Sequence, residues 1–248
     1  MYPVLFSIGG FSVFAYGVFL AIAFAVGVYG LTREAKRVNL PEEKFLDMSI
    51  WIMVAAIVGA RLLYILIELP TYLAAPLTIF SVRSGGLSFH GGLIAGIIVG
   101  LGYTRRHHLP QGKVADLVAP YLALGYAIVR IGCLLNGCCF GRQTAVPWAL
   151  PTAYLDSTPR HPTQLYAFVA GLLIFAILMW RRNKIRFHGQ LFLEFLILYS
   201  IYRFVVEQFR EVSAYAGFLT LGQAVSLVGA VAAFVAIRVW PMGKRSRP

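Results

Sequence analysis

Seven apolar runs dominate the chain, at about 12–31, 45–67, 87–104, 114–135, 162–180, 190–209 and 219–240. Each has roughly the 17–25 residues that a helix needs to cross a bilayer. Hydrocarbon offers backbone amides no partner, so such runs satisfy their hydrogen bonds internally as helices. Composition agrees with that reading. Of 248 residues, 59% are hydrophobic and 13% are charged, whereas a soluble domain carries about 25% charged residues. Mean hydropathy is +0.74. The expectation is an all-α integral membrane protein with seven transmembrane helices, forming a single domain over residues 1–248. The start, MYPVLFSIGG, lacks the basic flank of a signal peptide, so the first run is expected to remain as a helix. In the third run Gly92, Gly96 and Gly100 recur every four residues, a small-residue ridge that lets helices pack closely in lipid.

The net charge of +12 could suggest nucleic acid, but its distribution points elsewhere. Basic residues cluster in short loops, at Arg33, Lys36, Arg37 and Lys44, at Arg105, Arg106 and Lys113, and at Arg181, Arg182, Lys184 and Arg186. With Lys244, Arg245 and Arg247, these regions hold 14 of the 22 Lys and Arg residues. The alternate loops hold only Arg83, Arg142 and Arg160. Basic loops stay in the cytoplasm, which puts the N-terminus outside and the C-terminus inside. The segment 136–161 is then the largest external loop, and Pro147, Trp148, Pro151, Tyr154 and Pro159 predict a small structured head between helices four and five.

Arg130 and Arg203 fall inside the apolar runs, with Arg61 similarly placed and Arg210 at the end of the sixth run. A guanidinium at mid-depth costs about 2.5–3.5 kcal/mol on insertion scales, so it faces a protein interior and an anion there. The orientation places Arg130, Arg203 and Arg210 toward the outer face. In LYSIYRFVVEQFRE, Tyr199, Arg203, Glu207 and Arg210 share one helical stripe. Two arginines against one aligned glutamate leave a positive surplus and suggest an anion site, most simply for a phosphate. Glu207 would orient a guanidinium fork. An internal ion-pair ladder is the competing account. In GARLLYILIE, Arg61, Tyr64 and Glu68 form a second stripe, which reads equally well as a charge packed into the bundle or as a substrate contact.

His90 lies between glycine pairs in GGLSFHGGLIAG, where Gly85, Gly86, Gly91 and Gly92 allow close backbone approach. It reads as either a structural histidine or a general base. RIGCLLNGCCFGRQT follows, with Asn136, Gly137 and Gly141 suited to a tight turn. Its Cys133, Cys138 and Cys139 match no zinc spacing, and an adjacent Cys-Cys disulfide would be strained. The reading is no metal and no organic cofactor. In RHPTQLY, Arg160 and His161 precede Pro162, which suits a helix start.

Taken together, GARLLY, GGLSFHGGLIAG, ADLVAPYLALGYAIVRIG, NGCCFG, RHPTQLY, YRFVVEQFRE and LGQAVS resemble, in order and spacing, the bacterial prolipoprotein diacylglyceryl transferases. The likeness covers roughly residues 16–226. It implies a multi-pass protein of the bacterial inner membrane with its site toward the outer leaflet. It further implies transfer of the diacylglyceryl group of phosphatidylglycerol to the lipobox cysteine thiol of a preprolipoprotein signal peptide, with release of glycerol phosphate. No nucleic acid is expected as a partner. Carried over by motif, Arg130, Arg203 and His90 are the expected catalytic positions. Tyr16, Asn136, Gly141, Tyr199, Glu207 and Arg210 are expected to bind substrate, and Arg61 joins them on its charge. The chain departs from the family pattern at Cys133 and Cys138, where Asn and Glu are usual, and at Ala167, where Glu is usual. A transporter for an organic anion or lipid phosphate is the alternative, although matched broken helices or an inverted repeat are not evident.

Overall fold

The computed structural model describes residues 2–9, 11–74, 86–152, 156–211 and 219–243. Arg83, Gly85, Tyr154, Lys244, Arg245 and Arg247 lie outside them. The helices are α1 (Ala15–Arg37), α2 (Glu42–Ile67), α3 (Leu69–Ala74), α4 (Phe89–Arg106), α5 (Gln111–Asn136), α6 (Thr163–Arg181), α7 (Gln190–Glu207) and α8 (Leu221–Gly243). Among the described residues, five helical stretches are long and apolar enough to cross a membrane: Ala15–Arg37, Glu42–Ile67, Gln111–Asn136, Thr163–Arg181 and Leu221–Val239. The chain is therefore a helical protein built for a bilayer. Its outward faces fit that solvent. Ile94, Ile97, Ile98, Val228, Val231 and Val235 all stand exposed, a surface that lipid solvates and water does not.

A purely α expectation needs one correction. Two small antiparallel ribbons accompany the helices, β1 (Val4–Ile8) with β2 (Phe11–Phe14) and β3 (Leu150–Thr152) with β4 (Asp156–Arg160). In the first, Val4 pairs with Phe14 and Ser7 with Ser12, and Gly9 takes a φ of 53° at the turn. Hydropathy alone ran the first helix back to residue 12. The strand instead hands over to α1 at Ala15, whose N–H donates to the Pro3 carbonyl at 2.8 Å. In the second ribbon Leu150 pairs with Arg160.

The chain forms two compact units, Met1–Leu31 with Ala115–Pro248, and Thr32–Val114. In the smaller unit α2 and α4 pack along a glycine seam. A Cβ on Gly91 would collide with the Gly59 carbonyl and come within 2.6 Å of the Leu63 Cβ. One on Gly92 would meet the Ala56 carbonyl at 3.0 Å, and one on Gly96 or Gly100 would meet only the Ile52 side chain. The closest approach is thus Gly59 on Gly91, with the predicted ridge at its flank.

In the larger unit Ala119, Ala123, Ile174, Leu178, Leu191 and Phe195 form the core between α5, α6 and α7. Gly171 sets the α5–α6 distance, since its Cβ would meet the Ala123 carbonyl at 3.0 Å. Buried Asp116 fixes α7. Its two oxygens accept the Gly189 and Phe192 N–H groups at 2.7 and 3.1 Å, satisfying amides that a helix start leaves free. Glu194 completes the joint by accepting a bidentate pair from Arg181 at 2.5 and 3.0 Å. These contacts set the rotation of α7 and so the direction of its arginine stripe.

Candidate active site

Arg130 sits one and a half turns before the end of α5, with Tyr126 one turn earlier; Arg203 on α7 has Tyr199 one turn earlier. The same Tyr-x-x-x-Arg spacing therefore occurs on two helices. In the fold the tyrosines meet. Tyr126 and Tyr199 pack edge to face at 5.4 Å between centroids, and the Tyr126 and Tyr202 hydroxyls hydrogen-bond at 2.9 Å. Arg130 lays its guanidinium over the Tyr126 ring at 4.5 Å. A desolvated cation–π contact of this kind is worth up to about 2 kcal/mol. The buried Arg130 Nε has no hydrogen-bond partner among the described residues. Among those residues no carboxylate pairs with Arg130 either. A partly buried cation supported by a ring, and by no carboxylate among the described residues, has capacity left for an anion.

Arg203 is held differently. It donates to Glu207 in an i,i+4 ion pair, and Arg210 Nε lies 3.9 Å from the same carboxylate. Glu207 is nearly fully buried, and its other oxygen accepts the Thr220 hydroxyl at 3.1 Å. Thr220 is itself the cap of α8. Its Oγ accepts the Gln223 N–H at 3.1 Å while the Gln223 side chain accepts the Thr220 N–H at 3.0 Å, a reciprocal capping box. Gly222 lets that cap come close, since a Cβ there would meet Glu207 Oε1 at 2.5 Å and Arg203 at 3.3 Å. Among the described residues, Arg130, Arg203 and Arg210 are thus three guanidiniums against Glu207 as the one carboxylate holding any of them. The Glu207 ion pairs run along one stretch of chain rather than between helices, and the positive surplus remains. Tyr199 and Tyr202 are within electrostatic reach of both Arg130 and Arg203.

The remaining positions in this unit surround the same end of α5. Tyr16 stands partly exposed on the first turn of α1, and its Cα would lie 3.2 Å from a Cβ on Gly132. It lies within electrostatic reach of Arg130. Asn136 closes α5, and its side chain reaches the Cys138 thiol. Gly141 has no room for a side chain. A Cβ there would strike the Phe209 carbonyl and come within 2.7 Å of the His161 Cβ. Its role in the loop is therefore one of packing, and any contact with substrate would be through its backbone.

His161 is a buried ring. Its Nδ1 is 3.1 Å from the Tyr166 hydroxyl, which also accepts the Trp148 indole N–H at 2.7 Å, and its ring packs on Phe209 at 5.0 Å. Burial first, and then the Arg142 charge, pushes its pKa below the ordinary imidazole value. Arg160 meanwhile pairs with Glu211 at 2.6 Å, tying the end of β4 to the residues after α7. Both side chains therefore have partners within the fold.

Cys133, Cys138 and Cys139 come together, with all three Sγ atoms within 4.8 Å of one another. Their sequence spacing hides this. Gly137 and Cys139 both take positive φ, at 74° and 66°, which folds the chain back over the end of α5.

In the smaller unit Arg61 is 9% exposed, donates to the Gly86 carbonyl at 3.2 Å and lies over the Tyr72 ring at 5.4 Å. Gly86 takes a φ of 87°, with the Tyr64 ring and Arg61 filling the space of its missing Cβ. Those contacts are a structural task for Arg61. His90 is the second residue of α4, exposed, with its ring edge-on to Phe89 at 5.8 Å.

Residues 3–239 match the family described as prolipoprotein diacylglyceryl transferase. The chain belongs to this family. A phosphatidylglycerol–prolipoprotein diacylglyceryl transferase from Idiomarina loihiensis is 38% identical over 224 residues, covering 89% of this chain and 84% of its own length. Those from Coxiella burnetii and Finegoldia magna are 37% and 35% identical, covering 91% and 94% of this chain and 90% and 93% of their own. Tyr126, Tyr202 and Thr220 join this candidate site beside the residues that the motifs carry. The repeated Tyr-x-x-x-Arg spacing marked the first, and the Thr-x-x-Gln spacing before α8 marked the last.

Proposed function

We propose that this chain transfers the diacylglyceryl group of phosphatidylglycerol to the lipobox cysteine thiol of a preprolipoprotein, forming a thioether and releasing glycerol phosphate. Family membership supports the reaction. The observation that carries the mechanism is Arg130, a partly buried guanidinium with an enclosed Nε, over the Tyr126 ring and with no carboxylate beside it among the described residues.

In the reaction the substrate thiolate attacks the glyceryl carbon that bears the phosphate. The C–S bond forms, the C–O bond breaks, and the electron pair leaves on the phosphate oxygen. Ionising a cysteine of pKa about 8.5 at pH 7 costs about 2 kcal/mol. Expelling a phosphate charge into hydrocarbon costs more. A single preorganised donor at a developing anion contributes about 2.7–4 kcal/mol, and a guanidinium offers two such donors in one plane. Arg130 is the group to receive the departing phosphate. Arg203, oriented by Glu207 and the α8 cap, is placed to share it. Tyr16, Asn136, Tyr199 and Arg210 complete the substrate contacts in this unit. The role of His90 as proton acceptor for the thiol rests on its sequence motif.

The same reading extends to the membrane. Seven helices cross it, α4 and α7 included, with the N-terminus and the 136–161 head on the outer side of the bacterial inner membrane. The basic loops support this orientation. The decisive experiment reconstitutes the purified protein with phosphatidylglycerol and a lipobox peptide, and looks for the thioether by mass spectrometry. Formation with phosphatidylglycerol and none with phosphatidylcholine is expected. Anion flux without thioether would replace this reading with the transporter.

A further inference from the structure

The end of α5 and the loop after it gather three thiols on a rigid frame, and the transfer step proposed above gives none of them a role. Their Sγ atoms lie within 4.8 Å of one another. All three are free, and they grade outward from Cys133, buried, through Cys138 to Cys139, exposed. An ion therefore has a path in. The frame is held from several sides. Gln164 donates to the Cys138 carbonyl and Thr163 to the Cys139 carbonyl, both at 2.6 Å. The Gly141 and Arg142 N–H groups donate to the His161 and Phe209 carbonyls at 2.9 and 2.8 Å. Cys139 holds a φ of 66°, a region that few residues other than glycine adopt. That conformation turns its side chain back toward the other two.

We propose that Cys133, Cys138 and Cys139 form a three-thiolate site for a soft d10 cation of the Zn2+, Cd2+ and Cu+ class. Thiolate donors select such ions over hard ones. With metal–sulfur bonds of about 2.3 Å, three sulfurs around one ion sit about 4 Å apart. The present separations reach that with movements of under about 1 Å. Binding releases the thiol protons to solvent and needs no oxidant. A fourth position stays open on the Cys139 side, where water can complete the shell. The proposal does not rest on the transfer reaction, although the thiols lie beside Asn136 and within electrostatic reach of Arg130.

The test uses the full chain, purified in detergent and reduced, with Cd2+ and Zn2+ as probes. Cd2+ titration should give a thiolate-to-metal charge-transfer band that saturates at one ion per chain. Cys138→Ser and Cys139→Ser should each weaken binding by more than about 100-fold, beyond what loss of a merely supporting group costs. Because Cys133→Ser removes a buried group and can disturb folding, a second measurement keeps to the wild type. Zn2+ should protect all three cysteines together from maleimide, read by mass spectrometry. No saturating band, equal affinity in the serine variants, or protection of Cys139 alone would each overturn the proposal.

Discussion

Arg130 and Arg203 carry the same charge in the same kind of helix, yet their surroundings assign them different work. Arg203 shares Glu207 with Arg210, whereas Arg130 has a ring and no carboxylate among the described residues. Arg130→Ala should therefore lower transfer by about 100- to 1000-fold, the range for one lost donor at a developing anion. Arg203→Ala should also cripple it. His90→Ala should be milder and should recover as pH rises, because the substrate thiol then ionises without help. Initial rates on a lipobox peptide between pH 6 and 9 check the order, and a dead His90→Ala beside an active Arg130→Ala would reverse these roles. His161 makes a separate prediction about stability. Its folded pKa lies below the ordinary imidazole value of 6.5. Well above that value the ring is neutral in both states and contributes nothing. As pH falls through it, the unfolded chain takes up a proton that the folded chain refuses, so stability is lost. Melting temperatures in detergent should fall between pH 8 and 5.5, and His161→Gln should lose less over that interval.

At the scale of elements, backbone proximity rather than side-chain attraction sets the helix spacing. α2 and α4 touch where Gly59 meets Gly91, and lipid supplies no hydrophobic force to press them together. A methyl group at Gly91 meets backbone, which cannot give way as a side-chain end can. Gly91→Ala should cost about 1–3 kcal/mol, the usual penalty of overpacking. Gly102, on the same helix, has nothing within 4 Å of its missing Cβ. Gly102→Ala should be neutral or stabilise by up to about 1 kcal/mol through better helix propensity. Thermal unfolding of the two variants side by side separates packing from propensity, and equal shifts would refute the seam. A comparable economy governs α8, where the cap that starts the helix also donates to Glu207. One threonine thereby couples helix initiation to the arginine stripe.

At the scale of the whole molecule, charge and hydropathy act on the chain as a solute between two solvents. The loops with 14 basic residues should lie in the cytoplasm and the segment 136–161 outside. Cysteine-accessibility labelling in intact cells, or reporter fusions at loops 105–113 and 142–149, should find opposite sides; the same side for both would sink the orientation. Helix positions followed from the sequence to within a few residues, because burial in hydrocarbon is a property of composition over some twenty residues and needs no partner to be read. The arginines were legible for the same reason, since a charge in an apolar run has no local excuse. The family motifs named Tyr16, Asn136, Gly141 and His90 as well. The N-terminal ribbon was not legible, because Val4–Phe14 is as apolar as the helix it precedes, and a turn at Gly9 settles its register. Nor could spacing show which guanidinium keeps a carboxylate, that Tyr126 meets Tyr202, or that three cysteines converge. The first two depend on how α5, α7 and α8 are rotated about their axes, and the third on the positive φ of Gly137 and Cys139 after α5. That rotation is set by Asp116, the glycine contacts and the α8 cap acting across segments far apart in the chain. Sequence by itself determined the solvent, the helices and the surplus of positive charge; tertiary packing decided which of those charges keeps no carboxylate among the described residues.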